Sequence, residues 1–290
     1  MDFTDPSLPL RAGALMALQE ADPHRKCAQA AALHGRLLGG EPADPDWQVS
    51  KAPTGLPGRP ALPRLVHPAQ VPQRSPFTPA GRAALIHAIC HIEFNAINLA
   101  LDAVWRFGGM PPDFYADWLR VAAEEATHFQ LLQQHLSQLG HAYGDFDAHD
   151  GLWMMAERTQ ADALARMALV PRTLEARGLD ATPPIQARLR EAGDTAAVAI
   201  LDVILRDEIG HVAVGNRWYR WLCDRQGLEP VAHYRELARQ HRAPRLHGPF
   251  NLPARRQAGF TAEELEALQH GDRQGTSTPA GQTQAPQSGA

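Results

Sequence analysis

The sequence predicts an all-α protein: a four-helix bundle preceded by a helical segment and a proline-rich arm, and followed by further helices. Three observations predict it. Four long stretches of about 25 residues carry apolar residues at helical spacing between clear start and stop signals. No stretch alternates polar and apolar residues as a half-buried strand would. Acids and histidines recur at matching places in the first and second pair of helical stretches.

Residues 8–39 read as one or two helices rich in Ala and Leu, broken at Asp22-Pro23 and ended by Gly39-Gly40. From Pro42 to Pro79 the chain holds ten of its 24 prolines, so neither helix nor central strand can run through. Leu62, Leu65, Val66 and Val71 suggest that this arm lies on the main body. Thr78-Pro79 opens the first long helix, which runs to Phe107 before Gly108-Gly109. Pro111-Pro112 opens the second, expected to reach Leu139. The third starts near Leu152, kinks at Pro171 and closes at Gly178. Pro183-Pro184 is expected to start a short helix to Glu191, and the fourth long helix follows Asp194 to Gly227. Shorter helices are expected at Val231–Gln240 and Thr261–Leu268. Residues 271–290 hold no Leu, Ile, Val, Phe, Tyr, Trp or Met and are expected to be disordered. The implied divisions are 1–78, 79–227, 228–270 and 271–290.

Composition narrows the function. Hydrophobic residues make up 44% and charged residues 21%, as in ordinary globular chains. Lys+Arg is 28 against Asp+Glu 32, so no global basic field invites nucleic acid. No run of eighteen apolar residues suggests a membrane span, and no targeting segment is visible. Cys27, Cys90 and Cys223 lie too far apart in sequence for a CxxC metal or redox motif. A cytoplasmic location is the expectation. Fourteen histidines, a high number, point toward metal chemistry.

The acids and histidines of the four long helices follow an order: Glu93; Glu125 with His128; Glu175; Glu208 with His211. Glu93 and Glu125 are 32 residues apart, Glu175 and Glu208 33. An i, i+3 pair aims both side chains from one helix face. Two such pairs with two lone carboxylates form the ligand set of a carboxylate-bridged di-iron or di-manganese centre. Four carboxylates in a core are very costly unless cations offset them, and two divalent ions would. Only two of the fourteen histidines have Glu three residues before them, and both fall on this repeat. Glu124 and Asp207 precede the two motif glutamates. A ligand histidine gives its second N–H to a carboxylate or carbonyl, so each is expected to reach the histidine of the opposite helix. Glu157 competes with Glu175; on one continuous helix they would be about 27 Å apart, so only one can serve.

Other groups read more plainly. His87 and His91 turn away from Glu93 on the helical wheel and are expected to be structural. His149-Asp150 suits a cap. Trp105, Trp118, Trp153, Trp218 and Trp221 suit helix packing. Arg235, Arg239, Arg242, Arg245, Arg255 and Arg256 read as a solvated face, with an RNA-contacting patch as the alternative.

At these residues the chain resembles the ferritin-like superfamily of di-iron carboxylate proteins. Within it, the stretches LIHAICHIEFNAINLALDAVWRF, FYADWLRVAAEEATHF, AHDGLW, RMALVPRTLEARGLD and RDEIGHVAVGNRWY resemble a bacterial family known as DUF455. The resemblance implies a ferritin-like bundle, with metal ligation by Glu93, Glu125, His128, Glu175, Glu208 and His211; it implies no reaction. Leu132 stands where radical-generating reductase subunits carry Tyr, and Thr127 and Gly210 stand where hydrocarbon monooxygenases carry Arg. The Cys-rich iron domain of rubrerythrins is absent, and cage ferritins are shorter. The tRNA-hydroxylase branch is the nearest enzymatic analogy, by fold alone. The expectation is therefore an O2- or peroxide-dependent oxidoreductase with two Fe ions, or alternatively Mn or mixed Mn/Fe. It would act on an unidentified small-molecule substrate, with an electron-donor protein as partner and a homodimer as one possible assembly. The alternatives are an iron-handling protein without organic substrate, tRNA-hydroxylase-like RNA modification, and a bundle whose metals mainly hold the fold.

Overall fold

The structure, a computed structural model, describes Phe3 and residues 7–48 and 53–276. Residues 277–290, most of the segment expected to be disordered, lie outside the described residues. The described chain is all-helical, apart from one isolated β-bridge between Leu65 and Ala148.

Helices α1 (Leu10–Gln19) and α2 (Pro23–Leu38) divide at Asp22-Pro23. The Asp22 side chain accepts the Arg25 N–H and caps α2 at 2.8 Å. Helix α3 (Pro79–Arg106) starts where the Thr78 hydroxyl accepts the Gly81 N–H. Helix α4 (Pro112–Gln138) follows a turn locked by Tyr115, whose hydroxyl donates to Phe107 O and accepts the Met110 N–H. Twenty of the 28 residues of α3 are buried. It is long and apolar enough to cross a membrane, but that apolarity meets other helices: α1 and α5 pack on it besides α4.

The third long helix differs from expectation. It is broken into α5 (Gly151–Arg158), α6 (Ala163–Leu169), a π-helical turn (Val170–Glu175) and α7 (Ala176–Glu191). Asp162 caps the restart by accepting the Leu164 N–H. Pro171 lies in the π turn, where a missing N–H and a wider backbone circuit go together. Gly178 does not close the helix, and Pro183-Pro184 lie inside α7 rather than at a start. Pro183 has no N–H for the carbonyl of Leu179, and Asn251 Nδ2 donates to that carbonyl instead, at 3.1 Å. Helix α8 (Thr195–Gln226) is capped by Asp194 and ends at Gly227, whose φ of 64° is the left-handed value that glycine adopts freely. Helices α9 (Pro230–Gln240), α10 (Leu252–Gln257) and α11 (Ala262–Thr276) finish the described chain, so the first residues of the expected disordered segment, 271–276, are helical.

Helix α4 packs on α3, α2 and α8; α8 packs on α6, α7 and the π turn; α5 packs on α3 and the π turn. One buried ion pair ties α3 to the broken helix. Asp102 is fully buried and is held by Arg166 of α6 and by Arg106. Burial raises its pKa, but the two guanidinium groups outweigh that and hold it ionised.

The arm lies on the body, for a different reason than its apolar residues suggested. Leu62 is 58% exposed and Leu65 37%. Pro57 and Pro63 are buried instead. Arg59 and Arg64 make two-toothed pairs with Asp150 and Asp147, and backbone bonds join Val66 and Arg64 to Ala148.

Candidate metal centre

The i, i+3 spacing does locally what the sequence predicts: Glu125 and His128 leave α4 on the side facing α8, and Glu208 and His211 leave α8 on the side facing α4. The two imidazole centroids are 5.7 Å apart. Glu125 stands between them, its Oε2 3.3 Å from His128 Nδ1 and its Oε1 2.9 Å from His211 Nδ1. Glu93 comes from α3, with Oε2 3.2 Å from His128 Nδ1. Glu208 Oε1 lies 3.7 Å from His211 Nδ1. Two clusters capable of holding an ion result, Glu93–Glu125–His128 and Glu125–Glu208–His211, each with ligand atoms within 4.8 Å of one another. They share Glu125. All five side chains are buried.

Behind each imidazole stands a carboxylate of the opposite helix. His128 Nε2 lies 3.1 Å from Asp207 Oδ2, and His211 Nε2 lies 2.8 Å from Glu124 Oε2. Arg206 in turn bonds Asp207, and Arg120 bonds Glu124. The outward nitrogen is thus engaged and the inward Nδ1 faces the carboxylates. This fixes the ring orientation and, for the neutral imidazole, the tautomer.

Glu175, the sixth expected residue, is half-buried on the π turn and joins neither cluster. Its side chain makes no hydrogen bond or ion pair among the described residues, yet it is close enough for the charges of Glu208 and Glu125 to act on it. Its competitor Glu157 is exposed and accepts the Trp153 indole N–H.

Protonation shows the strain of this gathering. Desolvation and the Glu125 charge push Glu93 well above the usual carboxylate range. Glu175 is pushed well up by desolvation and by Glu208 and Glu125; Glu208 is raised by desolvation and by Glu125. Glu125 goes the other way. Burial alone would raise it, but His211 and His128 outweigh burial and keep it ionised. Burial would likewise lower the imidazoles, but Glu125 and Glu93 hold His128 up at about 11, and Glu125 and Glu124 hold His211 well above its ordinary value.

The donor set fits metal. Glu208 Oε2 is buried with no hydrogen-bond partner. His211 Nδ1, though 2.9 Å from Glu125 Oε1, is out of line for a hydrogen bond. Two orphaned donor atoms beside a shared carboxylate are costly in a protein interior and useful to an ion.

His87, His91 and His149 take structural places. His87 Nε2 accepts the Gly144 N–H, and His91 meets the Tyr143 hydroxyl and the Asn95 amide. His149 Nδ1 accepts the Gly151 N–H, while Asp150 bonds Arg59 rather than capping α5 with its side chain. The C-terminal arginines do not form one surface: Arg255 is buried against Asp180. Sequence reasoning passed over Arg172, buried on the π turn, whose only signal was its place between Pro171 and Glu175.

Comparison with known proteins adds kinship without chemistry. No solved structure gives a significant match. A relative from Haemophilus influenzae, described as an uncharacterized protein, is 50% identical over 265 residues, which cover 86% of this chain and 90% of the relative. Residues 19–266 match the family described as protein of unknown function (DUF455), and the chain belongs to that family.

Proposed function

We propose that this chain is a ferritin-like dinuclear metal protein, with iron as its metal, and an O2- or peroxide-dependent oxidoreductase acting on a small organic substrate. The observation that carries the reading is the position of Glu125, between two inward-facing imidazole nitrogens whose rings are held from behind by Asp207 and Glu124. Glu93 and His128 would hold one ion, Glu208 and His211 the other, with Glu125 between them and Glu175 completing the set from the π turn. When bound, such a pair supplies redox electrons and open positions for O2 or peroxide. The protein's own part is to fix the ring orientations through Asp207 and Glu124, to give up the protons that offset the carboxylates, and to keep the cluster dry. Manganese, or a mixed pair, suits the same donors.

The test is metal analysis of protein purified without oxygen or chelator, followed by optical spectroscopy on admitting O2. About two transition-metal ions per chain are expected. Glu125→Ala should lose most of both and Glu208→Ala mainly one. An unchanged metal count in Glu125→Ala would place the metals elsewhere and end this reading.

One observation favours a second reading, iron handling without an organic substrate. Among the described residues lie cavities of about 430 and 440 Å³, and none of the six Glu and His residues lines either of these. Excess Fe(II) supplied with O2 separates the two: an iron-handling protein oxidises many equivalents per chain, an oxidoreductase lacking its substrate only its own pair.

A further inference from the structure

A cavity rich in arginines lies outside the candidate metal centre. It occupies about 430 Å³ between α9, the segment after it and the α10–α11 pair. Its charge is one-sided: Arg172, Arg235, Arg239, Arg245 and Arg255 line it, against one acid, Glu264. That acid is spent. Glu264 is 2.6 Å from Arg172 and 2.7 Å from Arg220, and it accepts the Thr261 N–H. Arg255 is spent as well, on Asp180, and Arg239 faces Glu236 at 3.8 Å.

Arg172 is the informative residue. It is 4% exposed and reaches the cavity wall from the π turn. Its Nε donates to Asn216 Oδ1 and its Nη2 faces Glu264, but its Nη1 is buried with no acceptor at all. The guanidinium is sandwiched among the rings of Tyr219, Tyr234 and Phe260, at 4.8, 4.9 and 5.1 Å. An arginine so packed cannot swing away, so its Nη1 stays open to an acceptor that enters the cavity. At the rim, Arg235 and Arg239 are exposed. The remaining walls are apolar, among them Val231, Ala238, Leu246 and Leu268.

We propose that this cavity is a binding site for a small organic anion: a carboxylate or phosphate head on an apolar body. The head would accept from Arg172 Nη1 within and from Arg235 at the rim, and the body would lie against Tyr234, Phe260 and the aliphatic wall. Pairing a planar guanidinium with an oxyanion is the strong form of the hydrogen bond, and an apolar cleft with few convergent polar groups is the common form of a small-molecule site. The proposal is independent of the metal reading, since no proposed ligand residue lines the cavity.

The test is calorimetric titration of the full-length chain with octanoate, octyl phosphate, octan-1-ol and inorganic phosphate at one ionic strength. One octanoate or octyl phosphate should bind per chain, at least about tenfold more tightly than octanol or inorganic phosphate. Whichever of the two binds better identifies the head. Arg235→Glu, at an exposed position, should weaken binding about tenfold, and Ala238→Trp, which fills the cavity, should abolish it, with the melting temperature of Arg235→Glu unchanged. Octanol binding as tightly as octanoate would reduce the site to an apolar hole. Inorganic phosphate binding as tightly as octyl phosphate would reduce it to a charged patch. No binding, or binding indifferent to both substitutions, overturns the proposal.

Discussion

Glu124 and Asp207 show how much a residue beside a motif contributes. Each follows from one position in sequence, the acid before Glu-x-x-His, and each bonds the imidazole of the facing helix. Removing the charge but not the shape should loosen the rings without emptying the site. Glu124→Gln and Asp207→Asn are expected to weaken metal binding about 10–100-fold, read by competition with a chelator. His87 makes a residue-scale prediction of another kind. Burial lowers its pKa to about 4, and its Nε2 must stay unprotonated to accept the Gly144 N–H. The unfolded chain takes that proton near pH 6.5, so stability is full above that pH and falls as pH drops from 6.5 toward 4. The loss from this group amounts to about 3 kcal/mol. Unfolding free energy measured against pH should show it, and His87→Gln, which cannot titrate, should flatten the slope in that window.

At the scale of the element, the π turn is where sequence and structure part. Helical spacing with a proline reads as one kinked helix. The chain instead widens for one turn, ends the kink in Glu175 and sends Arg172 to a different neighbourhood. It can do so because α8 offers glycine opposite. A Cβ at Gly215 would meet Pro171 Cβ at 2.6 Å and Cγ at 2.7 Å. Gly215→Ala must therefore push the turn off α8. It should cost about 1–3 kcal/mol of stability in denaturant titration, as overpacking does. The same variant should hold less metal, because Glu175 moves with the turn, while the Glu93–Glu125–His128 cluster on α3 and α4 is untouched. Equal stability and equal metal content would mean that the turn does not position Glu175.

Over the whole molecule, the charged centre works against the fold until something offsets it. Four acids and two histidines are gathered where burial disfavours every charge, and shifted protonation is the substitute. Metal that binds the folded chain should stabilise it by about 2.7 kcal/mol for a site at a free concentration about a hundredfold above its Kd. The melting temperature should rise by several degrees on loading and fall back on chelation; a melting point indifferent to metal would contradict the proposed site.

The pattern of residues determined which side chains meet. Glu125 with His128 and Glu208 with His211 were legible because i, i+3 spacing fixes direction within one helix, and Glu93 because it precedes Glu125 by 32 residues, as Glu175 precedes Glu208 by 33. The cap at Thr78 and the boundaries at Asp22-Pro23 and Asp194 were legible because their chemistry is local. Only the tertiary structure decided the rest. Helix α7 runs on through Pro183, where a new start was expected, and Asn251, some seventy residues away, donates to the carbonyl that the proline leaves open. Glu125 became the shared carboxylate through the approach of α4 to α8, and the arm was fastened by Arg59, Arg64 and Leu56 rather than by Leu62 and Leu65. Each of these depends on a partner distant in sequence, and local spacing carries no information about which distant group will supply a missing donor, acceptor or charge.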